Sequence, residues 1–182
     1  MGGAKLKWSA LSYGEEFYIP YTENQRAVRG FLLRTLGIDL ENIPRDFFEP
    51  CLFYDKENKH FGEYRNKKVH VRDIIGTSYA DYAGDTWIIA FLKIKRAHDY
   101  IVNGNVTRGK YFRMLKRPVY EQDVPVHLTH TKQGYFIDSN GNHRITMYKM
   151  MYLAELSSQD FSYEPQPQRY WLYAKVREEL GE

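Results

Sequence analysis

Between Val124 and Leu156 the sequence VPVHLTHTKQGYFIDSNGNHRITMYKMMYLAEL leaves little choice of local structure. Val124, Val126 and Leu128 alternate with polar residues, and Tyr135-Phe136-Ile137 is a short apolar run ending at turn residues, so the spacing predicts two strands joined by a hairpin turn. A tight polar turn follows at Asp138-Ser139-Asn140-Gly141-Asn142. Ile145, Tyr148, Met151, Tyr152 and Leu156 then recur at helical spacing, which predicts a helix opening at His143-Arg144.

That turn is where chemistry can sit. A glycine leading into a helix lets the backbone approach a ligand, and the first helical turn offers unpaired N–H groups and a positive dipole end to an anion. Gly141, Asn142, His143 and Arg144 therefore form a candidate phosphate site, with His143 as proton donor and Arg144 as fixed cation. The same tetrapeptide also serves as an ordinary Asn-Gly turn with a surface arginine and a capping side chain. Residue types alone leave both open.

A strand, a polar turn, Gly-Asn-His-Arg and an amphipathic helix together resemble the nucleotide-binding signature of the ParB/sulfiredoxin superfamily, over about thirty residues. A second, weaker likeness is Val69-His-Val-Arg-Asp-Ile-Ile-Gly-Thr-Ser78 followed by Trp87, which is similar to a segment of stand-alone members. Asn142 stands where sulfiredoxins carry a reactive cysteine, which removes the nucleophile of sulfinic acid repair. The Glu and second Arg of the partition proteins' Gly-Glu-Arg-Arg turn are absent as well. The resemblance implies a small mixed sheet with three to four helices. It also implies a nucleotide-binding enzyme hydrolysing an NTP, ATP favoured, with Mg²⁺, and binding or cleaving DNA, as plasmid-encoded inhibitors of conjugative transfer do. A non-enzymatic DNA- or protein-binding module and a small-molecule kinase are the alternatives.

Elsewhere the chain supplies possible partners for the turn. Thr22-Glu23-Asn24-Gln25 has the form of a capping box ahead of a helix that Gly37 would stop. Cys51–Tyr54 and His60–Tyr64 flank the polar run Asp55–Lys59, a hairpin pattern. The run Lys67–Ile75 reads as a strand with Val69 and Val71 inward, broken at Gly76-Thr77-Ser78. There the Thr77 and Ser78 hydroxyls suit either phosphate binding or a capping turn. Asp85 is the expected N-cap of a helix carrying Trp87, Ile88, Phe91 and Leu92. Arg108, Lys110, Arg113, Lys116 and Arg117, interleaved with Tyr111 and Phe112 and stopped by Pro118, make the densest positive stretch. Cations beside stacking aromatics are what a DNA surface needs, although such runs also occur as plain solvated faces.

Glu121, Asp123, Asp73 and Asp138 are the carboxylates nearest to these motifs in sequence. With His143, Glu121 and Asp138 are the catalytic candidates, as bases for water, and Asp138 is the candidate Mg²⁺ ligand. His127 and His130 point to opposite faces of one strand and do not form a metal pair. The C-terminal stretch Arg169–Leu180 divides its preference: Tyr-Trp-Leu-Tyr favours strand and Ala-Lys-Val-Arg-Glu-Glu favours helix.

At 182 residues the chain fits a single domain, with a core at about 45–156 and extensions at both ends. A net charge of +3 and a pI near 8.8 permit DNA contact without demanding it. Tyrosine is abundant, at 16 residues, and suits half-buried positions and binding surfaces alike. The single cysteine, Cys51, excludes an internal disulfide and points to a reducing compartment, and no run approaches the roughly 18 apolar residues of a membrane helix. The expectation is a cytoplasmic α+β protein with a nucleotide partner, DNA as a second partner, and no membrane.

Overall fold

Trp171–Leu180 is the longest strand among the described residues, and the sheet is assembled around it. The computed structural model describes residues 30, 32–33, 36–38, 45–82, 86–94, 110–158 and 170–181. In chain order these form β1 (Leu52–Phe53), β2 (His60–Phe61), β3 (Arg65–His70), β4 (Ile74–Thr77), α1 (Trp87–Leu92), α2 (Lys110–Leu115), β5 (Val126–His130), β6 (Tyr135–Ile137), α3 (Asn142–Ser158) and β7 (Trp171–Leu180), with short 3-10 turns between. The architecture is α+β, a seven-stranded mixed sheet with helices, as the sequence leads one to expect.

The sheet runs β1-β4-β6-β5-β7, and β2 and β3 follow one another along the outer edge of β7. Within it β1, β4 and β6 are parallel to one another, β5 and β7 are parallel to each other, and β5 meets β6 antiparallel. Both edges of β7 are therefore paired. Leu172, Ala174 and Val176 alternate into the core, and this two-edged pairing overrides the helical preference of Ala174–Glu179.

One sheet face is covered by α1 and α3, where Trp87, Ile88 and Phe91 meet Ile145, Tyr148 and the inward residues of β5 and β7. Strand alternation sends Phe136 and Asp138 to the opposite face from Tyr135 and Ile137. That second face is covered by the segment 54–64. Tyr54 stacks on Phe136 at 4.9 Å, Phe61 meets Tyr54 edge-on at 6.5 Å, and Tyr64 reaches Asp138.

Several local expectations change. The polar run Asp55–Lys59 does turn the chain, with Asn58 at φ 59°, but its flanking strands do not form a hairpin. Instead β1 lies parallel to β4 and β2 antiparallel to β7. Gly76 and Thr77 belong to β4 rather than to a break, and Val71 sits in a 3-10 turn. Gly76 is glycine because β1 passes so close that a Cβ would lie 2.0 Å from the Leu52 carbonyl oxygen.

Gly37, at φ 68°, does end a helix: its N–H donates to Leu33 O at 3.2 Å, and that of Ile38 to Leu32 O at 2.9 Å. Thr86 is the N-cap residue of α1, which ends at Leu92 with Lys93 as its C-cap; Asp85 and the capping run 22–25 lie outside the described residues. No helix among the described residues is long and apolar enough to cross a membrane.

Candidate functional site

The turn between β6 and α3 is tied at every step. His127 N–H donates to Asn140 O at 3.0 Å, and Asp138 N–H donates to His127 O at 3.0 Å. The Asn140 amide donates to Pro125 O at 2.7 Å. Gly141 has φ 115°, and a Cβ there would lie 2.9 Å from both methyls of Val126, so conformation and space both demand glycine. Its carbonyl accepts the Ile145 N–H at 2.8 Å. The amides of Asn142, His143 and Arg144 thus stand ahead of the first intrahelical donor, at the positive end of a 17-residue helix.

Thr77 and Ser78, at the end of β4, are brought to this turn. Thr77 Oγ1 donates to Asn142 Oδ1 at 2.9 Å, and Ser78 Oγ donates to Asp138 O at 2.9 Å. The Ser78 amide donates to Ile137 O at 2.8 Å, continuing the parallel β4–β6 ladder. Tyr79 closes the arrangement, its amide donating to Thr77 Oγ1 at 3.2 Å and its hydroxyl to Ser139 O. Two stretches sixty residues apart therefore meet at the carboxyl ends of adjacent parallel strands.

Asp138 lies beneath, 1% exposed. Lys56 Nζ meets its Oδ1 at 3.0 Å, Arg177 meets its Oδ2 at 2.7 Å, and the Tyr64 hydroxyl donates to Oδ2. Burial alone pushes this carboxyl up, but the hydrogen bonds of Tyr64 and Lys56 and the charge of Arg177 outweigh it and hold it below the ordinary carboxylate value. Tyr64 is pushed up to about 12, first by burial and then by its bond to Asp138. Arg177 is itself fixed by Thr129 Oγ1 at 3.2 Å and by the face of Phe61 at 3.8 Å. Beside Tyr64, His127 Nδ1 meets Ser139 Oγ at 2.7 Å, and burial, with Lys175 next, lowers its pKa.

Three of the roughly four lone-pair positions of the Asp138 carboxylate are taken by these donors. Among the described residues no group of three His, Cys, Asp or Glu side chains could hold a metal ion. The donor set around Asp138 suits an anchored anion better than a metal ligand.

The other candidates from the sequence fall as follows. Arg144 is buried, and its guanidinium donates to Val124 O at 2.5 Å, while His143 is half-buried in the first turn of α3 and engaged by neighbouring groups. Glu121 is exposed and, with Arg113, Met114, Arg117 and Asp123, lines a separate hollow of about 390 Å³. Arg113, Lys116 and Arg117 are exposed at the end of α2; Arg108 and the Lys110 side chain lie outside the described residues. His127 and His130 face apart, His130 stacking on Tyr135 at 4.3 Å and meeting Glu178 at 2.6 Å.

Lys56, Tyr64, Tyr79 and Arg177 are the site residues that sequence reasoning missed. None belongs to a local motif, and only the meeting of distant segments gives them a role. Lys149 is hidden in the sequence for the same reason. It is fully buried on α3, its ammonium held by Glu49 at 2.9 Å and the carbonyls of Arg72 and Ile74 at 3.3 and 3.2 Å.

Compared with protein-family models, with curated proteins and with solved structures, the chain matches none.

Proposed function

We propose that this protein binds a nucleotide by its phosphates at the Thr77–Ser78 and Asp138–Arg144 junction and hydrolyses it, the activity implied by the resemblance to the ParB/sulfiredoxin superfamily. One observation carries this: the hydroxyl run and the glycine turn, separate in sequence, are hydrogen-bonded together where two parallel strands end and a long helix starts. Crevices beyond the carboxyl ends of parallel strands are where α/β sheets commonly take ligands, and a helix start favours anions. Charge adds to this. Lys56 and Arg177 are two cations against one carboxylate, so the cluster keeps a positive excess, and the Lys56 side chain is 44% exposed with donors to spare.

In this reading the amides of residues 142–144 and the Lys56 ammonium hold phosphate oxygens, and His143 donates or orients at the same helix turn. Asp138 fixes Lys56 and Arg177. Held ionised by three donors, it is a weak base. Mg²⁺ enters with the triphosphate, bound by the nucleotide's own oxygens. A second reading, a binding module without turnover, is favoured by Arg144, whose bond to the Val124 carbonyl serves the fold.

Calorimetry with ATP, CTP and GTP plus Mg²⁺, on the wild type and on Lys56→Ala, tests the proposal. Binding that Lys56→Ala weakens at least about tenfold, the effect of losing one charge-assisted hydrogen bond, supports it. No binding of any of the three by the wild type overturns it. Phosphate release under the same conditions separates the hydrolase from the binding module.

A further inference from the structure

We propose that Tyr79 is the stacking platform for the base of this ligand, so that the junction takes nucleotides in preference to bare polyphosphates or sugar phosphates. The inference rests on the phosphate site proposed above. Tyr79 follows Thr77 and Ser78 directly, and the residue is 36% exposed although its amide, carbonyl and hydroxyl are all hydrogen-bonded. Its hydroxyl is tied to Ser139 O and its amide to Thr77 Oγ1, which pins the ring between the hydroxyl run and the glycine turn. Burial, the largest influence on this phenol, raises its pKa against the opposing charge of Lys56, so the hydroxyl remains a donor at neutral pH.

Other exposed aromatics differ from it in ways that single it out. The Tyr64 ring is already occupied, by His127 at 4.8 Å and by the Arg177 guanidinium at 5.4 Å. Tyr120, 81% exposed, lies in the 3-10 turn beside Glu121, with the separate hollow, and Phe53 lies on the edge strand β1. Among the described residues no ring or cation stacks on Tyr79. A flat ring that is immobilised beforehand loses little freedom when a base lies on it. Stacking also reads no hydrogen-bonding edge, so ATP, GTP and CTP should bind within a few-fold of one another.

The experiment compares ATP with inorganic tripolyphosphate by calorimetry, each with Mg²⁺, on the wild type, Tyr79→Phe and Tyr79→Leu, with thermal midpoints measured alongside. The wild type should bind ATP more tightly than tripolyphosphate. Tyr79→Leu should lose roughly fivefold to 150-fold in ATP affinity, the range for one base–aromatic stack, while Tyr79→Phe, which keeps the ring but loses its tie to Ser139, should lose less, and both should leave tripolyphosphate unchanged. ATP affinity untouched in Tyr79→Leu, or an equal loss for both ligands, overturns the platform and leaves the phosphate site standing. If the wild type binds neither ligand, the phosphate site falls and the platform falls with it.

Discussion

Lys149 carries a charge into the middle of the helical layer, and its surroundings explain how the fold tolerates that. The ammonium has Glu49 and two backbone carbonyls of the 71–74 turn as partners and lies over the Trp87 ring at 5.4 Å, while burial lowers its pKa and Glu49 opposes the shift. Two separate contributions are at stake, the packed four-carbon stem and the polar bonds at its tip. Lys149→Ala removes both and is expected to cost roughly 3–5 kcal/mol, as large-to-small core changes and orphaned buried acceptors do. Lys149→Met restores the volume alone and should recover part of that loss in urea titrations. Equal losses in the two variants would assign the whole effect to the tip.

Among the elements, those that pair with a chain neighbour were the legible ones. β5, β6 and α3 could be read from alternation, a turn and helical spacing because each meets the next one along. The pairing of β1 and β2 was hidden. Their partners β4 and β7 come later in the chain, and the Asp55–Lys59 turn looks the same whether its flanks pair with each other or not. Thr77, Ser78 and Asp138 were readable as candidate residue types. That Asp138 would be gripped by Lys56 and Tyr64 was not, because those bonds span 82 and 74 residues.

The same bonds fasten the segment 54–64 to the back of the sheet, and they titrate. Asp138 and Glu178 have folded-state pKa values below their ordinary ones, so the stability they contribute is present above about pH 4 and is lost as pH falls through the lowered values. His70 and His127 are lowered too. For them the unfolded chain takes up the proton first, so stability also falls as pH drops below about 6.5. Urea midpoints between pH 7 and pH 3 should therefore decline in two stages. Tyr64→Phe should cost roughly 1.5–3 kcal/mol at pH 7, the loss of a hydrogen bond to a charged group, and shrink the lower stage by raising the Asp138 pKa. A lower stage unchanged by this variant would mean that the cluster does not govern acid stability.

Across the whole molecule, the junction of β4, β6 and α3 and the basic end of α2 have no described side chain in common. Arg113, Lys116 and Arg117 are exposed, but Arg113 and Arg117 share a hollow with Glu121 and Asp123, which offsets part of their charge. If this end binds DNA phosphates, affinity should fall steeply with salt, and replacing Arg113, Lys116 and Arg117 by Gln should flatten the slope by roughly 0.9 for each phosphate no longer neutralised. A fluorescence-anisotropy titration over several salt concentrations reads this directly, and an unchanged slope in the triple variant would exclude the end of α2 as the DNA surface.

The position of β7 has a consequence for synthesis. It follows the other six described strands in the chain, yet β5 flanks it on one side and β2 and β3 on the other, and it supplies the arginine that grips Asp138. A nascent chain emerging from the ribosome can close the β5–β6 hairpin early, but β3 and β5 must wait with open edges until Trp171–Leu180 clears the exit tunnel. Of the seven strands described, the one translated after the other six therefore completes both the sheet and the grip on the buried carboxylate.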